Sequence, residues 1–197
     1  MTVSTRSYRY VETTAPTVEP VTLAQAKAHL RVDHAHEDDY ITARIVGARK
    51  FIENQTRRVL IETTRTMYLD EFPDEIRPPG GTLMSVTWIK YYDTDGVLQT
   101  MSSSDYVVDV ARTPGAIYLA YDESWPSIRA IPNAIEVKYK VGYGAAASNV
   151  PGDLIDAVLM LVAHRYENRE AAVGDSLSAV PLAVQTIILN NKIQEFF

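Results

Sequence analysis

The chain has 197 residues, 46% of them hydrophobic and 22% charged, and a formal net charge of −6, the balance of a globular protein with one domain or two small, tightly joined ones. It contains no cysteine, which excludes disulfides, thiolate catalysis and cysteine-ligated zinc, and no apolar run approaches the roughly 20 residues of a membrane span. A pI near 5.2 disfavours the sequence-wide attraction by which proteins grip duplex DNA.

Met1 to Pro20 are polar and read as an extended arm that Tyr8, Tyr10 and Val11 can dock; the opening lacks the apolar core of a signal peptide. A first helix is predicted over Leu23 to Arg31, with Thr22 as N-cap, Gln25 completing a capping box and Val21 placed for a hydrophobic staple. In the next segment Ile41, Ile45, Ala48 and Ile52 recur at helical spacing, which predicts one apolar stripe on a longer helix ending near Thr56. Asp33 is the expected cap of this helix, with Glu37, Asp38 and Asp39 in its first turn facing the positive end of the macrodipole.

The period then changes to two. "VLIETTRTMYLD" alternates and is rich in β-branched residues, "SVTWIKYYDTDGVLQTM" reads as two strands about Asp95 and Gly96, and "DYVVDV" and "AIYLAY" form a hairpin around "ARTPG". "AIEVKYKVGY" supplies a further strand, making roughly six, the content of a small antiparallel sheet or barrel. After Pro151 the helical period returns through Leu154, Val158, Leu161 and Val162, ending near Arg169. "EAAVGDSLSAVP" is expected as a loop, and "LAVQTIILNNKIQEFF" as a short last helix or arm.

The fold expected is therefore α+β: a helical core of two N-terminal helices, one long and one short C-terminal helix, with an inserted small antiparallel β domain. The arm is residues 1–20, the helical core residues 21–58 and 150–190, the β insertion residues 59–149, and the tail residues 191–197.

Several stretches invite a chemical reading. "LRVDHAHEDDYITARI" gathers His34, His36, Glu37, Asp38 and Asp39, which raises a metal-dependent binding or hydrolytic module. Histidines that share a metal on a helix sit four apart, whereas two residues apart they point about 200° from one another; acids starting a helix explain the stretch better. "DTDG" at Asp93 to Gly96 lacks the later glutamate of a calcium loop and reads as a turn. "GYG" at Gly142 to Gly144 lacks the lysine and hydroxyl of a phosphate loop and reads as a strand exit. His164 sits in an apolar helix with no serine elbow or cysteine to serve. Trp125, in "SWPSIRAIP", is either an aromatic platform or a packed loop. The end of the chain carries Ile187, Ile188, Leu189, Ile193, Phe196 and Phe197, an apolar content that docks on its own core or inserts into a neighbour. No catalytic, cofactor-binding or metal site is assigned, and no cofactor is expected.

Taken in order, "PVTLAQAKAHLRVDHAHEDDYITARIVGARKFIENQTRRVLI", "YYDTDG", "VKYKVGYG" and "VPGDLIDAVLMLVAHRYENRE" resemble the head-tail connector (adaptor) proteins of long-tailed phages and gene transfer agents, the gp6-like group, over about Pro20 to Glu170. The resemblance implies a non-enzymatic virion protein, assembled in the host cytoplasm. It forms a ring, usually dodecameric, beneath the portal protein, extends the channel through which DNA passes as cargo, and offers the platform for tail attachment. It implies as partners the portal, further copies of itself and a stopper or other tail-proximal connector, with no membrane. Portal or subunit contact would fall on Ile187, Ile188, Leu189, Ile193, Phe196 and Phe197, although "NNKIQEFF" stands where the group has a more basic, proline-containing tail. A stopper or a tail terminator is the neighbouring alternative.

Overall fold

A computed structural model of the chain describes residues 9–169 and 180–194. It divides into a β unit, built on Glu62–Gly142 and the residues up to Ala15, and a helical unit, built on Pro16–Ile61 and the residues from Tyr143 onward.

In the β unit five strands form one antiparallel sheet, in the order β1 (Arg9–Thr14), β2 (Thr63–Leu69), β7 (Ile135–Val141), β3 (Leu83–Tyr92) and β4 (Leu98–Thr100). Strands β5 (Tyr106–Asp109) and β6 (Ala116–Leu119) make a separate hairpin around "ARTPG". Register puts Met67, Val137 and Ile89 opposite one another on one face, and these residues are buried with Ile135, Tyr139 and Leu83. A bridge between Ile76 and Ile117, both fully buried, ties the hairpin into this core. Tyr139 keeps its hydroxyl satisfied by donating to the Pro79 carbonyl at 3.0 Å.

Two expectations change here. Within the arm, Arg9–Thr14 is a strand on the sheet edge, because its backbone completes the ladder of β2. Strand β2 begins at Thr63 rather than at the preceding apolar run: Val59, Leu60 and Ile61 are buried in the helical unit instead.

The helical unit holds α1 (Leu23–Leu30), α2 (Asp38–Thr56), α3 (Gly152–Glu167) and α4 (Leu182–Asn191). Helix α1 has the full capping box: Gln25 N donates to Thr22 Oγ1 at 3.2 Å, and Thr22 N donates to Gln25 Oε1 at 2.9 Å. It ends on Arg31, in the left-handed conformation at φ 58°. The expected cap of α2 does not form. Asp33 lies too far upstream of the first helical residue, Asp38, to reach the free N–H groups of the first turn, and the N-cap position falls to Glu37, with no side-chain cap hydrogen bond.

Ile41, Ile45, Ala48 and Ile52 of α2 meet Leu154, Ala157, Val158, Leu161 and Val162 of α3, joined by Val184 and Ile188 of α4. Among the described residues no helix is long and apolar enough to cross a membrane.

Candidate functional site

The fold keeps only part of the acid and histidine cluster together. His34 and His36 are exposed with ring centroids 5.6 Å apart. Asp38 takes Lys27 Nζ at 2.6 Å, and Asp39 is exposed in the first turn of α2. Among the described residues no three histidine, aspartate or glutamate side chains converge to hold a metal ion.

Glu37 instead clasps α3. Its carboxylate accepts from the Tyr166 hydroxyl and from the Arg169 guanidinium. These two hydrogen bonds, Tyr166 first, hold the Glu37 carboxyl below the usual carboxylate range, and the same contact raises the Tyr166 hydroxyl.

Above this clasp the two helices present an arginine face that periodicity alone did not reveal. Tyr40 receives the Arg44 guanidinium at 4.7 Å and that of Arg169 at 4.6 Å from its ring centroid. Arg165 lies 5.2 Å from the centre of Phe51, at distances where cation and ring attract. Tyr40, Arg44, Gly47 and Phe51 follow one another at helical steps, so they form one stripe of α2. At Gly47 a Cβ would stand 3.4 Å from Arg165 Nη1, an ordinary van der Waals contact, so the guanidinium lies close over this turn of α2. Burial, and then the charge of Arg44, depress the Arg165 pKa. The sequence signal for this face was the run Tyr40, Arg44, Gly47, Phe51, legible only once its partner helix is known.

The remaining candidates occupy the following positions. Asp93 Oδ1 accepts from Asp95 N at 3.1 Å and Val97 N at 2.8 Å, and Gly96 takes φ 83°, an aspartate-closed turn between β3 and β4. A hydrogen bond from Gln99, then the backbone of Val97, lowers the Asp93 pKa. Gly142 and Gly144 take φ 134° and 152° where β7 ends. His164 is half-buried in α3, its Nδ1 3.4 Å from Asn168 Nδ2. Trp125 stacks on Phe72 at 4.6 Å, with the planes 4° apart, so one face of the indole is covered.

At the C-terminal end Ile188 and Ile193 are buried, Ile187 packs against the helical core and Leu189 is 70% exposed. Helix α4 is held at its end by Arg58 Nε donating to the Asn191 carbonyl at 2.5 Å and by Ile193 N donating to the Thr56 carbonyl at 3.0 Å. Phe196 and Phe197 lie outside the described residues.

The model of the phage gp6-like head-tail connector protein family matches residues 20–113 and 127–192. The chain belongs to this family. It is a structural connector of the head-tail junction of a virion. Three solved structures share its fold over nearly the whole length. The neck of an empty gene transfer agent (GTA) particle, computed with C6 symmetry, superposes with a TM-score of 0.78 at 25% identity, covering 96% of this chain and 97% of that one. A chain from the virion of a native GTA particle gives 0.78 at 23% identity, covering 95% and 97%. The neck of a native GTA particle, computed with C12 symmetry, gives 0.73 at 24% identity, covering 96% and 97%. The last two bear on the fold alone. No curated protein matches the chain.

Proposed function

We propose that this connector works without catalysis, as a closed, dodecameric ring docked beneath the portal, where it extends the DNA channel and offers the platform on which the tail-proximal connector assembles. The observation that carries this reading is the family match across most of the chain, supported by likeness to a neck described with C6 symmetry. The physical properties agree. A net charge of −6 supplies no chain-wide attraction to hold DNA that passes as cargo, and a ring requires two different complementary patches on each subunit, joined head to tail.

The portal-facing contact of this reading falls on α4 and the tail: Leu182 and Leu189, 79% and 70% exposed, with Phe196 and Phe197 beyond. Ile187, Ile188 and Ile193 hold α4 in place from within. Assembly takes place in the host cytoplasm before the tail joins.

The test is to mix the purified chain with its portal and image the product. A ring seated on the portal is expected. A chain that stays monomeric with the portal, and whose deletion leaves tail joining intact, refutes the reading; a chain that instead caps isolated tails is a terminator.

A further inference from the structure

Arg44 and Arg165 stand on the face of the helical unit as two neighbouring cations without an anion. Neither forms an ion pair with a carboxylate among the described residues. Arg44 Nε is shielded from solvent and has no hydrogen-bond acceptor there, so the terminal N–H groups of its guanidinium are those it offers outward. Aromatic rings position both cations: Tyr40 carries the Arg44 guanidinium over its ring and Phe51 that of Arg165. Two such forks are shaped for carboxylates.

A matching group is displayed by the β unit. The connection after β6 turns at Tyr121, Asp122 and Glu123. Tyr121 is 92% exposed. Asp122 adopts φ 61°, and Glu123 N donates to the Ala120 carbonyl at 3.2 Å, which holds the tip in shape. Neither acid has a cationic partner among the described residues, so an aromatic ring and two free carboxylates are presented together. The chain's excess of acids favours a carboxylate of this kind over a phosphate backbone as the occupant.

We infer that the Arg44 and Arg165 pair is the seat for the Tyr121–Asp122–Glu123 turn of a second copy of this chain, a head-to-tail contact between neighbouring subunits. This rests on the ring reading above and names two surfaces that would close it.

The experiment uses the full chain with its portal and reads the mass of the complex. A wild-type chain that gives no ring refutes the ring reading and the inference with it. Once wild type forms the ring, Arg44→Glu with Arg165→Glu, and separately Asp122→Lys with Glu123→Lys, are each expected to raise the concentration needed for assembly by about tenfold or more, as like charges face each other. The chain carrying all four exchanges is expected to assemble again. Should the Arg165 exchange prevent folding, seen by circular dichroism, Arg44→Glu alone against the same exposed turn carries the test. Turn variants that assemble as wild type overturn the inference, and so does a folded double exchange that fails to restore assembly. Loss of portal capture by the arginine variants alone assigns the seat to another partner and overturns it too.

Discussion

Arg49, buried on α2, donates from Nε to Glu19 Oε2 at 2.7 Å and so ties the helix to the segment leading into α1. The same guanidinium donates from Nη1 to Glu53 Oε2 at 2.8 Å, and Glu53 in turn accepts from Leu60 N at 2.9 Å. Burial works against the charge of Arg49, but the two carboxylates outweigh it and raise its pKa. Removing one member of a buried ionic network leaves the others desolvated and unpaired, so Arg49→Ala is expected to cost about 3 kcal/mol in a urea titration. Arg49→Met, which fills the space, is expected to lose nearly as much, since both glutamates remain.

The clasp of Glu37 has a pH signature. Its folded pKa lies below the ordinary 4.5, so the carboxylate stabilises the fold fully above that value, and the contribution is lost as pH falls through the depressed folded value. Wild type and Glu37→Gln, compared by urea titration from neutral pH downward, should differ by a constant amount until about pH 4.5, below which the gap narrows. A gap independent of pH in the acid range would show that the Tyr166 and Arg169 contacts do not favour the ionised form.

On the proposed reading, helix α4 carries stability and docking on different residues. Ile188 is 8% exposed and Leu189 is 70% exposed. Ile188→Ala is expected to destabilise the chain by about 2 kcal/mol or more through lost burial and a residual cavity. Leu189→Ala is expected to change stability by less than about 0.5 kcal/mol, yet weaken capture by the portal. Thermal melts and a portal pull-down on the two variants measure both effects.

The capping box of α1 gives a smaller test. Thr22→Ala removes the acceptor of Gln25 N and is expected to cost about 1 kcal/mol by chemical denaturation.

Local signals carried much of the fold. Thr22 and Gln25 marked the start of α1 because a cap is decided within four residues, and the spacing of Ile41, Ile45, Ala48 and Ile52 found the buried stripe of α2 because both faces of a helix are written in its own period. Asp33 misled as a cap, since a side chain that can cap does not show how far the chain runs before the helix begins. Arg9–Thr14 read as a loose arm because an edge strand with all residues exposed has no alternation to display. The arginine face was hidden for a related reason: Arg165 and Arg44 are 121 positions apart in the numbering, and only packing of α2 on α3 brings their charges together. The family resemblance, by contrast, lay open in the order of phrases along the chain.

The helical unit is written in two halves separated by the whole of Glu62–Gly142. During synthesis the N-terminal pair, α1 and α2, leaves the ribosome long before α3 exists to cover Ile41, Ile45 and Ile52, while the β unit has all its strands in hand first. The arginine face, which needs Arg44 from one half and Arg165 from the other, therefore comes into being only after α3 has been translated. A product released before α3 lacks Arg165 and cannot display it.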